Sequence, residues 1–319
     1  MNVLILSAGT RCLLIKAFRE ALAPTGRVIA ADMSENAPAI YEADEKALVP
    51  PITASDYMER VLELCRLHRV QGVLSLIDPE LSLLAANAAR FAAAGVSVLG
   101  SPLAVTELCF DKWRVYTWLL ENGFKAPKTY RDTESFFAAE ACGEIAYPVI
   151  VKPVCGSAAR AVCLAKNADE VAFYCSRGEE MLIQEYMGRD EIGADAYVDL
   201  HTGRVASLFT KEKLLMRAGE TDKSRSFADG ALFDLLTDLL TRLGARGPVD
   251  IDLFRRDGAY YISEINPRFG GGYPHAHACG CNHVQMLAQN LAGEALSPRI
   301  GAYESDVYMM KYGEIALRR

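Results

Sequence analysis

The sequence has no long apolar run, no basic patch and no C-x-x-C pair. No stretch approaches the ~18 apolar residues that a membrane-spanning helix needs, and the start, MNVLILSAGT, lacks a charged region and a cleavage site. A net charge of −7 argues against the basic face of nucleic-acid-binding proteins. Nine cysteines without a paired motif indicate a reducing compartment and mostly buried thiols. We therefore expect a cytoplasmic protein with neither a nucleic-acid partner nor a membrane partner.

The length and the apolar content favour two or three packed subdomains. The chain has 319 residues, of which 51% are hydrophobic. Near the N-terminus, strands predicted at 2–6 and 27–31 flank a helix predicted at 13–22, and strands and helices go on alternating up to residue 99. This order predicts an open α/β sheet.

The first turn of this sheet suggests one alternative function. Gly9 follows the first strand, and the acidic Asp32 ends the second, as in a dinucleotide-binding fold. Only Gly9 is present where that fold has a glycine-rich turn. An NAD-dependent dehydrogenase is therefore kept as an alternative.

The densest set of candidate site residues lies at 247–272, which reads GPVDIDLFRRDGAYYISEINPRFGGG. Two apolar, β-branched runs flank the turn RRDG, and this pattern predicts a β-hairpin. Because alternate residues of a strand share a face, Asp252, Glu264 and Asn266 are predicted to meet on one side. Carboxylate and amide oxygens are the ligands that Mg²⁺ prefers. Arg268 follows within reach of an anion beside that metal.

With this hairpin the chain resembles the ATP-grasp superfamily, and in particular a single unit similar to the halves of the carbamoyl-phosphate synthase large chain. The string EINPRFGGG, preceded by GPVDIDLF, carries the resemblance. It implies an α/β protein with a Rossmann-like N-terminal domain at 1–105, followed by a two-subdomain α+β ATP-grasp domain. The subdomain with the phosphate flap is expected at 106–182, and the subdomain with the metal site at 183–319.

Several residues are predicted to contact the nucleotide phosphates. Lys152 lies in the apolar strand YPVIVKPV, where a buried ammonium needs an anion. Lys112 is assigned to the phosphates by the resemblance. The resemblance also makes the next loop a phosphate flap, with Gly156, Ser157 and Arg160 as candidate contacts. This loop has fewer glycines than related chains, so we expect a stiffer flap or fewer backbone contacts to phosphate.

The resemblance places the adenine and the ribose beside the stretch MLIQEYM at 181–187. The backbone of Met187 is expected to meet the adenine edge, and Gln184 and Glu185 lie on the same strand. Glu191 has the spacing of the acid that holds the ribose hydroxyls in the family. A surface acid in a turn is the alternative interpretation of Glu191.

The charged stretch KEKLLMRAGETDKSRSF is predicted to be a long polar loop, either a binding loop or a lid. By its place in the family it borders the acid substrate and the γ-phosphate. Lys211 and Arg217 would then act with Arg268 as catalytic residues that offset negative charge. Solvated loop charge is the alternative.

Three histidines and two cysteines between residues 275 and 283 raise the question of a zinc site. Structural zinc sites use ligand pairs spaced by two to four residues on turns, whereas these side chains recur mostly at every second position. We therefore expect no zinc here, and the resemblance places His275 and His277 at the substrate end of the cleft.

These observations together predict an ADP-forming ligase that joins a carboxylate to an amine through an acyl phosphate. ATP and Mg²⁺, or Mn²⁺, are the expected cofactors, and a small carboxylate and an amine are the expected partners, with a homodimer as an option. A nucleotide-sensing ATP-grasp module without chemistry is the second alternative, beside the dehydrogenase.

Overall fold

The computed structural model describes residues 1–156 and 161–317, which form three β-sheets and the helices that cover them. The predicted flap contacts Ser157 and Arg160 lie outside the described residues. Within the described ranges, no helix is long and apolar enough to cross a membrane. All nine cysteines are free thiols, and only three of them are buried, fewer than we expected.

The N-terminal part of the chain alternates strands and helices. Its elements are β1 (Asn2–Leu6), α1 (Cys12–Leu22), β2 (Arg27–Asp32), a short 3-10 helix (Pro38–Glu42), β3 (Glu45–Leu48), α2 (Tyr57–Leu67), β4 (Gly72–Ser75), α3 (Asp78–Ala86), α4 (Ala88–Ala93) and β5 (Ser97–Val98). The strands form a parallel sheet in the order β3-β2-β1-β4-β5. Val3 and Ile5 pack against α1, whereas Leu4 and Leu6 pack against α2, because side chains alternate along a strand. The sheet is covered on both faces, and the predicted Rossmann-like architecture is confirmed.

Two helices lead out of this sheet, α5 (Leu103–Phe110) and α6 (Lys112–Glu121). Asp111 separates the two helices. The carboxylate of Asp111 accepts hydrogen bonds from the backbone N–H groups of Trp113 and Arg114, both at 3.0 Å, and thereby caps α6. The break makes Lys112 the first residue of the second helix.

A small antiparallel sheet follows. Its elements are β6 (Thr129–Tyr130), α7 (Thr133–Ala141), β7 (Val149–Pro153), β8 (Cys163–Ala165), α8 (Ala168–Cys175) and β9 (Met181–Glu185). The strand order is β6-β9-β7-β8. Val149 and Val151 pack with Phe136 of α7 and Val171 of α8. Lys152 therefore points to the opposite face, away from the two helices.

The remaining chain builds a six-stranded antiparallel sheet. Its elements are β10 (Glu191–Val198), β11 (Val205–Arg217), β12 (Glu220–Phe227), α9 (Gly230–Leu243), β13 (Gly247–Arg256), β14 (Ala259–Asn266), α10 (Tyr273–Ala278), α11 (His283–Leu291) and β15 (Tyr308–Met310). The strand order is β14-β13-β10-β11-β12-β15. Leu236 and Leu239 of α9 pack with Ile251 of β13, so one face of the sheet is apolar. The opposite face carries the polar residues described below.

The charged stretch that we predicted to be a loop is a hairpin of β11 and β12. Its charges lie opposite one another across the two strands, since Glu212 is the register partner of Arg225 and the carboxylate lies 2.7 Å from NH2 of that arginine. Opposite charges across a strand pair stabilise it. The loop prediction was wrong because charge density was taken as a sign of irregular structure.

Candidate functional site

The strand register of the β13-β14 hairpin collects four oxygen-bearing side chains. Asp250 lies opposite Asn266, and Asp252 lies opposite Glu264. Because partners across an antiparallel pair share a face, all four side chains point to the side away from α9. The register shifts only beyond Asp252, toward the turn. The predicted juxtaposition of Asp252, Glu264 and Asn266 is therefore present.

Two lysines of β11 extend this face. The ammonium of Lys211 forms a buried ion pair with Asp195 of β10. The ammonium of Lys213 lies 2.7 Å from Oε1 of Glu191 and 2.6 Å from Oδ1 of Asp252. Burial alone would lower the pKa of Lys213, but Asp252 and Glu191 raise it above its ordinary value, so the ammonium stays charged.

Gly193 makes room for both lysines. A Cβ at this position of β10 would lie 3.0 Å from Cε of Lys211 and 3.1 Å from Cε of Lys213. A larger residue would therefore push the two side chains away from the sheet. The small residue at this point of the strand lets the lysines lie across β10.

Lys152 and Lys112 approach the same face from the small sheet and from α6. The ammonium of Lys152 donates to Oε1 of Gln184 at 2.8 Å, and Nε2 of Gln184 donates to Oγ1 of Thr129 at 2.9 Å. Burial lowers the pKa of Lys152 to about 8, and Glu264 acts in the opposite direction. Lys112 lies 3.8 Å from Oε1 of Glu264 and also donates to the carbonyl oxygen of Gly156.

Arg268 joins this face to the N-terminal domain. Its Nε and NH2 groups donate to Oδ2 of Asp78, at the start of α3, at 3.2 and 3.1 Å. Its NH1 group lies 3.5 Å from Oδ2 of Asp250. Burial and the neighbouring Asp252 raise the pKa of Asp250 to about 7. The guanidinium is thus held between two carboxylates from different domains.

The residues predicted for the adenine and ribose follow one another between β9 and β10. Glu185 pairs with Arg256 at 2.7 Å, Met187 is buried, and Glu191 begins β10. The side chain of Gln184 is already occupied by Lys152 and Thr129. If this strand meets a nucleotide, Gln184 therefore acts on it through Lys152.

Arg217 and Lys211, which we predicted to be catalytic, differ from the other basic residues of the site in their position or in their partner. Arg217 is 72% exposed at the end of β11 and pairs with Asp222 at 3.4 Å. Lys211 lies on the correct face, but Asp195 neutralises its charge. Both stay predictions as catalytic residues.

Two functional candidates, Lys213 and Asp195, and one ion pair were not found from the sequence. Lys213 lies two positions after Lys211, and an interpretation of the stretch as a strand would have placed both on one face. Asp195 lies four positions after Glu191 on one strand, so the same strand periodicity would have placed these two residues on one face. The pairing of Asp78 with Arg268 gave no local signal, because the two residues lie 190 positions apart in the chain.

Two buried histidines near the end of the chain lie beside serine hydroxyls, and the placement of His275 and His277 at the substrate end of the cleft stays a prediction. Nδ1 of His275 lies 2.8 Å from Oγ of Ser224, and Nε2 of His283 lies 3.0 Å from Oγ of Ser207. Burial, followed by the charge of Lys211, lowers the pKa of His275 to about 4. Among the described residues, no group of three or more His, Cys, Asp or Glu side chains is suited to a metal ion.

The hairpin set differs from such a group, because it combines two carboxylates with an amide. Asp252, Glu264 and Asn266 offer only oxygen donors, which suits Mg²⁺ or Mn²⁺. Lysines of α6, β7 and β11 and the arginine that follows β14 surround them, which is the environment that an anionic nucleotide needs. The residues present therefore fit a divalent metal shared with phosphate groups.

The dinucleotide alternative finds no support in the N-terminal domain. Oδ2 of Asp32 accepts the backbone N–H of Gly9 at 2.8 Å, and Oδ1 accepts that of Ser34 at 2.9 Å. Asp32 is also buried. Its oxygens hold the turn of the protein itself, so they are already occupied where a ribose would have to bind.

Comparison with known protein families agrees with this geometry. A family model described as ATP-grasp domain matches residues 109–272, and one described as PylC-like, N-terminal domain matches residues 3–99. The first match covers just over half of the chain, and the protein belongs to the ATP-grasp domain family. The boundaries that we predicted within the chain, at 105 and 182, stay predictions.

Among curated proteins, the chain is similar to carbamoyl phosphate synthase large chains. It is 27% identical over 279 residues to that of Thermomicrobium roseum, a match that covers 80% of this chain and 25% of the relative. The chain thus spans about a quarter of the length of the curated relatives that it matches.

Solved structures share the fold over nearly the whole chain. The biotin carboxylase domain dimer of Hydrogenobacter thermophilus 2-oxoglutarate carboxylase, in complex with MgADP, ADP and bicarbonate, has a TM-score of 0.75 at 16% identity. That match covers 96% of this chain and 73% of the other. The L-amino acid ligase of Bacillus licheniformis has a TM-score of 0.68 at 19% identity, and the match covers 92% of this chain and 75% of that protein. At these identities the likeness shows the fold alone.

Proposed function

We propose that the protein is an ADP-forming ligase that joins a carboxylate to an amine, or to a similar nucleophile, through an acyl phosphate. One observation carries the proposal: Asp252, Glu264 and Asn266 share a face across which Lys112, Lys152 and Arg268 converge. Oxygen donors for a divalent cation and basic groups for phosphates therefore occur in one place.

Each basic group has its own task in this proposal. Lys152, held by Gln184, binds phosphate oxygens from the small sheet, and Lys112 does so from the start of α6. Arg268, held by Asp78, offsets charge on the transferring phosphoryl group. Bound between the hairpin oxygens and ATP, Mg²⁺ would neutralise phosphate charge and orient the γ-phosphate. Phosphoryl transfer needs mainly this positioning and electrostatic stabilisation.

The covalent steps follow from these positions. A carboxylate oxygen of the acid substrate attacks the γ-phosphorus, the bond to the β,γ-bridging oxygen breaks, and ADP leaves with the electron pair. An amine then attacks the acyl carbon, the bond from this carbon to the phosphate oxygen breaks, and phosphate leaves with the electron pair while the nitrogen loses a proton to solvent. The adenine is expected near Met187 and the ribose near Glu191, at the junction of β9 and β10.

The relatives support this class of reaction. The Bacillus protein is described as an amino acid ligase, and the Hydrogenobacter structure contains bicarbonate with MgADP. A homodimer is part of the proposal, because the Hydrogenobacter domain is described as a dimer. Because the chain spans about a quarter of the length of the synthase large chains, we do not assign their whole activity to it.

The proposal is tested by ADP release with MgATP across a panel of carboxylates and amines, with the mass of each product measured. Glu264→Gln is expected to lower turnover by about 10²–10³-fold, because a metal ligand loses its charge. Glu212→Gln is the matched control, since its side chain is 24% exposed against 26% for Glu264 but pairs with arginines instead.

Two results would contradict the proposal. Normal turnover of Glu264→Gln would remove the metal assignment. Tight ATP binding by the parent protein without acceptor-stimulated ADP release would favour the nucleotide-sensing alternative.

A further inference from the structure

Lys213 is buried between two carboxylates with different proposed partners. Its ammonium contacts Glu191, proposed for the ribose, and Asp252, proposed for the metal, at 2.7 and 2.6 Å. The side chain is only 4% exposed. Its stem lies over Gly193, which leaves space for it. The ammonium of Lys213 therefore contacts a carboxylate oxygen of Asp252 that a metal ion would need as a ligand.

A metal ion and this ammonium compete for Asp252. A divalent ion bound to Asp252 would lie about 2.1 Å from the oxygen, on the same carboxylate that the ammonium contacts. Two positive groups at such a short distance in a partly buried site repel strongly. One of them must leave, or negative charge must be added.

We infer that Lys213 is a built-in counter-ion that excludes free divalent metal from Asp252 and admits metal only together with an anionic nucleotide. The inference rests on the metal role of Asp252 in the proposed function. The phosphates of a nucleotide offer the displaced ammonium a new partner, and the flexible stem of a lysine can follow them. A free metal ion offers the displaced ammonium no new anionic partner.

Lys211 gives a contrast on the same strand. It is buried like Lys213, but its ammonium pairs with Asp195, which is not a proposed metal ligand. Removal of Lys211 would leave Asp252 paired with Lys213. The exclusion of metal is therefore assigned to one lysine of the pair.

Metal binding in the absence of nucleotide tests the inference. Mn²⁺ alone is titrated into the full chain, and the free ion is measured by its paramagnetic resonance signal. Lys213→Gln is expected to bind one Mn²⁺ at least about tenfold more tightly than the parent protein, because the repelling charge is gone. Lys213→Arg keeps the charge and should retain the parent affinity. Lys213→Gln combined with Asp252→Asn should lose the gain.

Thermal unfolding gives a second measurement. Mn²⁺ should raise the Tm of Lys213→Gln and leave that of the parent protein unchanged, because only an ion that binds the native state stabilises it. If Lys213→Gln does not fold, Lys213→Met serves as the neutral variant. Tight binding of Mn²⁺ by the parent protein without nucleotide overturns the inference whatever the variants do.

The remaining outcomes separate this inference from the proposed function. Equal Mn²⁺ affinity of the parent and the neutral variant overturns the role of Lys213, and so does a gain that survives Asp252→Asn. ADP release by the parent protein is measured in parallel. If ADP release persists, only the inference on Lys213 has failed. A parent protein that neither binds MgATP nor releases ADP overturns the proposed function.

Discussion

Two clusters of polar side chains, one around Glu80 in the N-terminal domain and one around Asp252 on the six-stranded sheet, are held in opposite ways. In the N-terminal domain, Glu80 accepts hydrogen bonds from Ser7 and Ser75 and contacts the hydroxyl of Tyr57. In the six-stranded sheet, Asp252 pairs with Lys213. The first cluster is satisfied by neutral hydroxyl groups, whereas the second is balanced by ammonium groups that a metal and phosphates could displace.

The electrostatic consequence is clearest for the carboxyl group of Glu80 and the ammonium group of Lys213. Burial raises the pKa of Glu80 to about 8, although the hydrogen bond from Ser7 opposes the shift. The ammonium of Lys213, by contrast, stays charged between Asp252 and Glu191. The comparison teaches that an acid among polar side chains does not by itself indicate a site. The charge of its partners separates a structural cluster from a binding one.

The largest effect is expected from the loss of a basic group at the second cluster. Lys152→Met should lower kcat/KM for ATP by about 10²–10³-fold, because a buried phosphate partner is lost. Tyr57→Phe, which removes a contact of Glu80, should instead cost about 1–3 kcal/mol of stability and leave turnover of the folded protein unchanged. Steady-state kinetics and urea unfolding of both variants check this. Equal losses of activity would break the distinction between the clusters.

A smaller effect is expected where the two domains meet. Asp78→Asn keeps the shape of the side chain but removes the charge that holds Arg268, and kcat should fall by about tenfold with little change in KM. Glu59→Gln is the control, because it removes one partner of an exposed ion pair with Arg90 in the same domain. An unchanged kcat in Asp78→Asn would mean that Arg268 does not need this partner.

The smallest effect on activity is expected at Glu80. The pKa of Glu80 is about 8 in the folded protein, whereas that of an unperturbed glutamate carboxyl is 4.5. Between these values the native state binds more protons than the unfolded state, so the contribution of Glu80 to stability falls as pH rises from 4.5 to about 8. Glu80→Gln stays neutral and should lack this loss.

Urea unfolding of the parent protein and Glu80→Gln at pH 5 and pH 8 measures the effect. The difference between the two proteins isolates Glu80 from Asp250, whose raised pKa acts in the same direction. A constant difference in the free energy of unfolding at both pH values would show that Glu80 is ionised in the native state.

Residues close together in the sequence could be placed without coordinates. The alternation of apolar and polar residues in β13 and β14 predicted that Asp252 and Glu264 would share a face. A register shift between Asp252 and Leu253 completes this pairing, because the register that starts at the turn would place Ser263 opposite Asp252. The alternation of strands and helices likewise predicted the N-terminal sheet. The same logic would have placed Lys213 beside Lys211, had the charged stretch been interpreted as a strand.

The sequence by itself determined the hairpin, its oxygen donors and the open α/β sheet of the N-terminal domain, because strand periodicity and turn chemistry are local. Only the tertiary structure decided which basic group meets which acid. The pairing of Lys213 with Asp252 depends on β10 lying between β11 and β13, and that of Arg268 with Asp78 on a contact across 190 residues. Such ion pairs follow from the order in which strands and domains pack, which no local pattern encodes.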